Sequence, residues 1–110
     1  MSIKGEAKLL RIFVSEDEKF EGRPVYETIV IKAKEANLAG ATVLRGIMGF
    51  GMSGAAIHSA KLLDMNNKLP LVIEITDKEE KIDLFLPELD KVLKSGLVTL
   101  EKVQVIKYGK

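Results

Sequence analysis

Residues Gly40 to Gly51 read GATVLRGIMGFG, and how this stretch is read decides the fold. It passes from an apolar, partly β-branched run directly into Gly49-Phe50-Gly51. A strand ending in this way delivers bare backbone amides at its tip. Two glycines flanking an aromatic allow the main chain to turn with positive φ and to come close to a ligand. The same glycines would serve equally well to open an ordinary hairpin loop. Position separates the two readings: the stretch follows a helical segment and precedes a long loop and a strongly apolar strand.

Outward from this stretch, the chain divides into four strands and two helices. Lys8 to Ser15 reads as a strand with Leu10, Ile12 and Val14 on one face and Leu9, Arg11 and Phe13 on the other. Glu16 to Gly22 is charged and turn-like. Pro24 suits the first turn of a helix, in which Val25, Ile29, Ala33 and Ala36 recur at helical spacing up to about Leu38, with Gly40 as the stop. Ala41 to Met48 reads as the second strand and Leu69 to Thr76 as the third. Asp77, with Glu80 three residues later, is expected to form a capping box. It opens a helix whose apolar stripe is Ile82, Phe85, Leu86, Leu89, Val92 and Leu93. Pro87 interrupts that stripe, and a kink or restart is expected there. Ser95-Gly96 ends the helix, and Leu97 to Tyr108 forms the last strand, with a bulge expected between Leu100 and Val103 where its alternation slips.

The order β-α-β-β-α-β predicts an α+β, ferredoxin-like split βαβ domain, with two helices on one face of a four-stranded antiparallel sheet. At 110 residues there is room for one such domain over residues 1–110. Hydrophobic content of 46% with 30% charged residues places the chain among folded globular proteins. The balance of 17 basic against 16 acidic residues leaves no electrostatic footprint for nucleic acid or an anionic membrane surface. The chain has no cysteine, which removes thiolate chemistry and cysteine-based metal sites. The opening residues lack the apolar core of a secretory signal and no later run approaches a membrane span, so the expected compartment is the cytoplasm. The sheet face away from the helices would carry Leu9 and Phe13, with Leu44 and Met48 or Val43 and Ile47 according to register. Such a patch calls for a cover, and self-association is expected.

With these elements in place, the chain resembles the PII signalling proteins. It is more closely similar to their uncharacterised relatives, the PII-like family. The resemblance rests on the βαββαβ order, the strand entering Gly49-Phe50-Gly51, the long loop from Met52 to Lys68 and the strand Leu-Pro-Leu-Val-Ile-Glu-Ile. His58-Ser59-Ala60-Lys61 and Gly96-Leu-Val-Thr-Leu-Glu-Lys-Val add to it, and the match spans nearly the whole chain. It implies a homotrimer that binds an adenine nucleotide (ATP, ADP or AMP) in clefts between subunits, with no obligatory cofactor. It also implies contact with a target protein through the loop between the second and third strands. Carried over by residue, Gly49 and Gly51 would line the nucleotide together with Phe50, Met52 and Ser53. Glu74 would sit near the adenine, Gly96 would open the phosphate segment with Val98 and Thr99, and Lys102 would supply its lysine. Two departures weaken the grip on a triphosphate: Thr99-Leu100-Glu101-Lys102 stands where PII proteins carry Gly-Asp-Gly-Lys, and their Arg-X-Arg pair is missing, with Lys107-Tyr108 nearby instead.

Ser53 to Lys61 reads either as a short helix behind an N-cap serine or as a loop that orders on binding, with His58 and Lys61 available to a partner. Phe50 could stack on a base or pack beneath its turn. His58, the only histidine, stands near Ser53, Ser59 and Asp64 in sequence. Adjacency along a loop does not build a nucleophile, a base and an orienting group, so no enzyme activity is expected. Glu79-Glu80 and Asp17-Glu18 read as helix-start and loop charges. Ferredoxin-like folds host many functions, and the alternative is a regulatory module for an amino acid or a metal ion. An RNA-binding sheet would need aromatics on its central strands, and only Phe13 offers one.

Overall fold

Alternation in the first and third long strands places every second side chain on one side, and the two helices close over that side. The computed structural model describes residues 2–51, 54–59 and 68–109. The elements in order are β1 (Gly5–Ser15), β2 (Lys19–Phe20), β3 (Arg23–Pro24), α1 (Val25–Glu35), β4 (Thr42–Arg45), β5 (Met48–Gly51), β6 (Gly54–Ser59), β7 (Pro70–Asp77), α2 (Glu79–Val92) and β8 (Leu97–Val105). The main sheet has four strands in the order β4-β7-β1-β8, all neighbours antiparallel. Leu10, Ile12 and Val14 of β1 and Leu71, Ile73 and Ile75 of β7 form one core. Val25, Ile29 and Ala33 of α1 and Ile82, Phe85, Leu89 and Val92 of α2 complete it. Burying each of the larger side chains contributes about 1.5–3 kcal/mol. This is the ferredoxin-like arrangement that the strand and helix order predicts.

Four local expectations are corrected. The second strand is not continuous from Ala41 to Met48: it ends at Arg45, and a separate two-stranded sheet of β5 and β6 begins at Met48. No bulge interrupts β8, whose register with β1 runs unbroken from Gly5↔Val105 to Phe13↔Leu97. As an edge strand it is exposed on both faces over most of its length, so nothing enforces alternation there. α2 runs from Glu79 to Val92 across Pro87 without interruption. Pro87 and Asp83 are both exposed, so the carbonyl that loses its helical donor faces water. The segment 54–59 is strand, because its backbone pairs with β5 and propensity for helix yields to that ladder.

The capping-box expectation at the start of α2 also changes form. Lys78, not Asp77, occupies the N-cap position of α2, and it makes no side-chain cap bond. Asp77 is the last residue of β7 and is fully buried. Its Oδ1 accepts from the Lys78 N–H at 2.7 Å and its Oδ2 from the Ala39 N–H at 2.8 Å, with Lys81 Nζ 3.8 Å away. One carboxylate therefore ties the turn between α1 and β4 to the start of α2. Asp77→Ala is expected to cost about 3 kcal/mol, since two part-buried hydrogen bonds to a charged group are lost. Urea denaturation measures this, and a loss below about 1 kcal/mol would show that the Ala39 turn holds without Asp77.

Candidate functional site

The glycine run bends because Pro70 lies under it. The Gly46 N–H donates to the Pro70 carbonyl at 2.7 Å, which ends β4. A Cβ on Gly46 would stand 2.8 Å from Pro70 Cγ, and one on Gly49 would stand 3.0 Å from the same atom. Close approach to Pro70 thus accounts for these two glycines. Gly49 and Gly51 lie within β5 and neither adopts the left-handed φ that the sequence suggested. A Cβ on Gly51 would meet nothing within 4 Å. Phe50 is 73% exposed, so it does not pack beneath the turn.

Gly96 joins the same end of the sheet from the far edge. It adopts φ +127°, and a Cβ there would lie 2.6 Å from the Phe13 carbonyl oxygen. Phe13 lies two residues before Ser15, which pairs with Pro70. Gly46, Gly49 and Gly96 therefore surround one end of the sheet. Val98 and Thr99 follow on β8 opposite Ile12 and Arg11. Lys102 does not join them: it pairs with Lys8, which in turn pairs with Asp77 at the opposite end. Six residues of extended strand put it roughly 20 Å from Gly96. Met52, Ser53 and Lys61 lie outside the described residues. His58 is placed by its backbone, opposite Gly49 in the β5–β6 ladder.

Glu74 has a partner that the sequence did not announce. It sits in the middle of β7, opposite Arg11 of β1, and Arg11 Nε donates to its Oε2 at 2.8 Å. On the other side Arg11 Nη1 donates to Glu101 Oε1 of β8 at 2.6 Å. These bonds, first to Glu74 and then to Glu101, raise the guanidinium above its ordinary pKa. The triad lies across the uncovered sheet face, among Leu9, Phe13, Val72, Leu44 and Leu97 by register. Leu44 and Leu97 are about half exposed at the two edges of this face. Ile47, Met48 and Phe50 are exposed beyond β4. Leu44, not Val43, is the edge residue on this side, since Val43 packs against the core.

The turn after β1 carries the other missed contacts. Arg45 Nε stands 2.8 Å from Glu16 Oε2 and its Nη2 donates to Oε1 at 3.0 Å. Lys68 Nζ lies 3.9 Å from Asp17 Oδ2, and Ser95 Oγ donates to Glu18 Oε1 at 2.8 Å. Three consecutive carboxylates thereby reach the end of β4, the approach to β7 and the turn before β8. The sequence presented them only as loop charges. Among the described residues, no group of three or more His, Cys, Asp or Glu is placed to hold a metal ion. No helix among them is long and apolar enough to cross a membrane.

Strand order and helix placement define a ferredoxin-like domain. The chain belongs to the DUF190 family, described as an uncharacterized ACR, whose profile matches residues 7–105. A UPF0166 protein of Aquifex aeolicus is 52% identical over 99 residues, covering 90% of this chain and 92% of its own. A UPF0166 protein of Methanocaldococcus jannaschii is 40% identical over 103 residues, covering 93% and 94%. Among solved structures, the chain is similar to CPII of Thiomonas intermedia K12, a nitrogen regulatory PII-like protein bound to ADP, AMP and bicarbonate. That likeness has a TM-score of 0.61 at 20% identity and covers 96% of this chain and 91% of that one. CutA of Synechococcus elongatus follows at a TM-score of 0.59 and 14% identity, covering 98% and 85%. At these identities the likeness is one of fold.

Proposed function

We propose that this protein is a PII-like regulator, not an enzyme. In this reading it is a cytoplasmic homotrimer that binds an adenine nucleotide between subunits and signals to a target protein through the segment joining β5 to β7. One observation carries the reading: Gly49 and Gly96 come from one end of the sheet while Lys102 stands at the other. A site that uses them together needs two copies of the chain. The uncovered face and the exposed apolar edges supply the surfaces on which copies would meet. CPII, of the same fold, is a regulator described with ADP and AMP bound.

In the assembled site, Gly49, Phe50, Gly51, Met52 and Ser53 line the ligand with Gly96, Val98 and Thr99. The exposed ring of Phe50 is free to stack on the base, and Lys102 comes from a neighbouring copy to the phosphates. Glu74, bonded to Arg11 on the uncovered face, would reach the adenine across the subunit contact. His58 and Lys61 are the residues expected to meet the target.

A ligand ~100-fold above its Kd adds ~2.7 kcal/mol of stability, so a thermal shift screen decides the class of ligand. ADP, ATP or AMP should raise the Tm by about 10 °C or more. A rise with an amino acid or a divalent metal, and none with any nucleotide, would overturn the reading. Gly51→Val sharpens the test, because its side chain enters open space and β-branched residues suit strands. The variant should keep the Tm of the parent and lose the nucleotide-dependent rise.

A further inference from the structure

We propose that Arg45 is a phosphate-binding residue of this site and that Glu16 is a built-in competitor for it, so that an incoming phosphate must displace the Glu16 carboxylate. The proposal rests on the nucleotide reading above and names the group that receives the charge.

β4 delivers Arg45 as the last residue before Gly46, whose N–H fixes the chain to Pro70. Arg45 is therefore anchored to the rigid sheet at the root of the glycine run. Its Nη2 bond and the 2.8 Å approach of its Nε to Glu16 form a fork, the geometry with which a guanidinium also takes two phosphate oxygens. Half of the Arg45 side chain is exposed, so a ligand can reach it, whereas the Glu16 side chain is only 23% exposed. Glu16 is held in place by its own N–H, which donates to the Leu69 carbonyl at 2.9 Å, one residue from Pro70. The carboxylate thus stands where a ligand anion would have to stand.

Its neighbours in the turn act alike. Asp17 lies beside Lys68, and Glu18 takes the hydroxyl of Ser95, the residue before Gly96. The second oxygen of Glu18 is buried and has no hydrogen-bond partner among the described residues. A buried acceptor without a donor is costly. Donors that face this end from β4, from the approach to β7 and from the β8 turn are all engaged by one acidic turn. A phosphate brings more charge than a carboxylate and outcompetes it on Arg45, but each such exchange leaves a displaced carboxylate close to the ligand. Affinity is thereby held down, which suits a sensor that must release its ligand when concentrations fall.

The test is calorimetric titration of the full chain with ADP and with adenosine at low ionic strength. Glu16→Gln removes one negative charge beside the phosphates and should tighten ADP about five- to tenfold. Arg45→Met should weaken ADP by about tenfold or more, and neither change should move adenosine. A Glu16–Arg45 pair that only ties the turn to β4 would give a lower Tm in both variants, with ADP affinity unchanged or weakened in Glu16→Gln. That result overturns the proposal. If the parent protein takes up no ADP, the nucleotide reading fails by itself, and inorganic tripolyphosphate then tests Arg45. A Tm rise with tripolyphosphate in Glu16→Gln that exceeds the parent's supports the competitor, and equal responses overturn it.

Discussion

Replacing Gly96 with alanine is expected to cost about 3 kcal/mol or more of stability and to lower the Tm by about 15 °C. Two independent penalties meet at this residue. Its φ of +127° lies in a region that side-chain-bearing residues avoid, and the new Cβ would stand 2.6 Å from the Phe13 carbonyl oxygen. That oxygen belongs to the backbone of β1, a central strand paired on both sides, so it cannot move aside cheaply. Val14 Cγ1 and Leu93 Cδ2, at 3.5 and 3.8 Å, close the remaining directions. Relief would require the start of β8 to lift from Phe13, which loosens the pairing of Leu97 at this end of the sheet. Gly40→Ala is the control: a Cβ there meets nothing within 4 Å, and the change should stay within about 0.5 kcal/mol. A Gly96→Ala protein that melts within about 3 °C of the parent would show that the turn has another conformation available.

Gly96 also marks where sequence reading succeeds and where it stops. The core strands and both helices were legible because one face of each is buried, which forces the period of two in Leu10, Ile12 and Val14 and the helical stripe from Ile82 to Val92. Where nothing is buried, the period carries no information, and the slip in β8 was mistaken for a bulge. Gly46 could not be told from the other glycines because its reason lies in Pro70, distant in the chain. Resemblance supplied the expected binding end of the sheet but not its charges. Arg11 meets Glu74 and Glu101 at sequence separations of 63 and 90, and Arg45 meets Glu16 at 29. Only the strand order makes those residues neighbours. An arginine in the middle of the otherwise apolar row Leu9, Arg11, Phe13 was the one available signal that the uncovered face holds an ion pair.

In the proposed trimer that uncovered face yields the second large effect: Phe13→Lys is expected to convert the assembly to single chains while each chain stays folded. Phe13 is half-buried on the side away from the helices, so the substitution does not enter the core formed by Leu10, Ile12 and Val14. In a lone domain a lysine there would reach water and cost little. Between two copies it would bury a charge with no partner, since the nearest carboxylates, Glu74 and Glu101, are already committed to Arg11. An unpaired charge in a dry contact is strongly destabilising, and it would be repeated at every subunit contact. Light scattering at micromolar concentration should therefore move from the mass of a trimer to that of one chain, with the circular dichroism spectrum retained. Nucleotide binding should disappear with it, because Gly49 and Gly96 of one chain would lose Lys102 of the next. A parent protein that is monomeric and still binds ADP, or a Phe13→Lys monomer with undiminished affinity, would place the ligand within a single chain and dissolve the argument for a shared site.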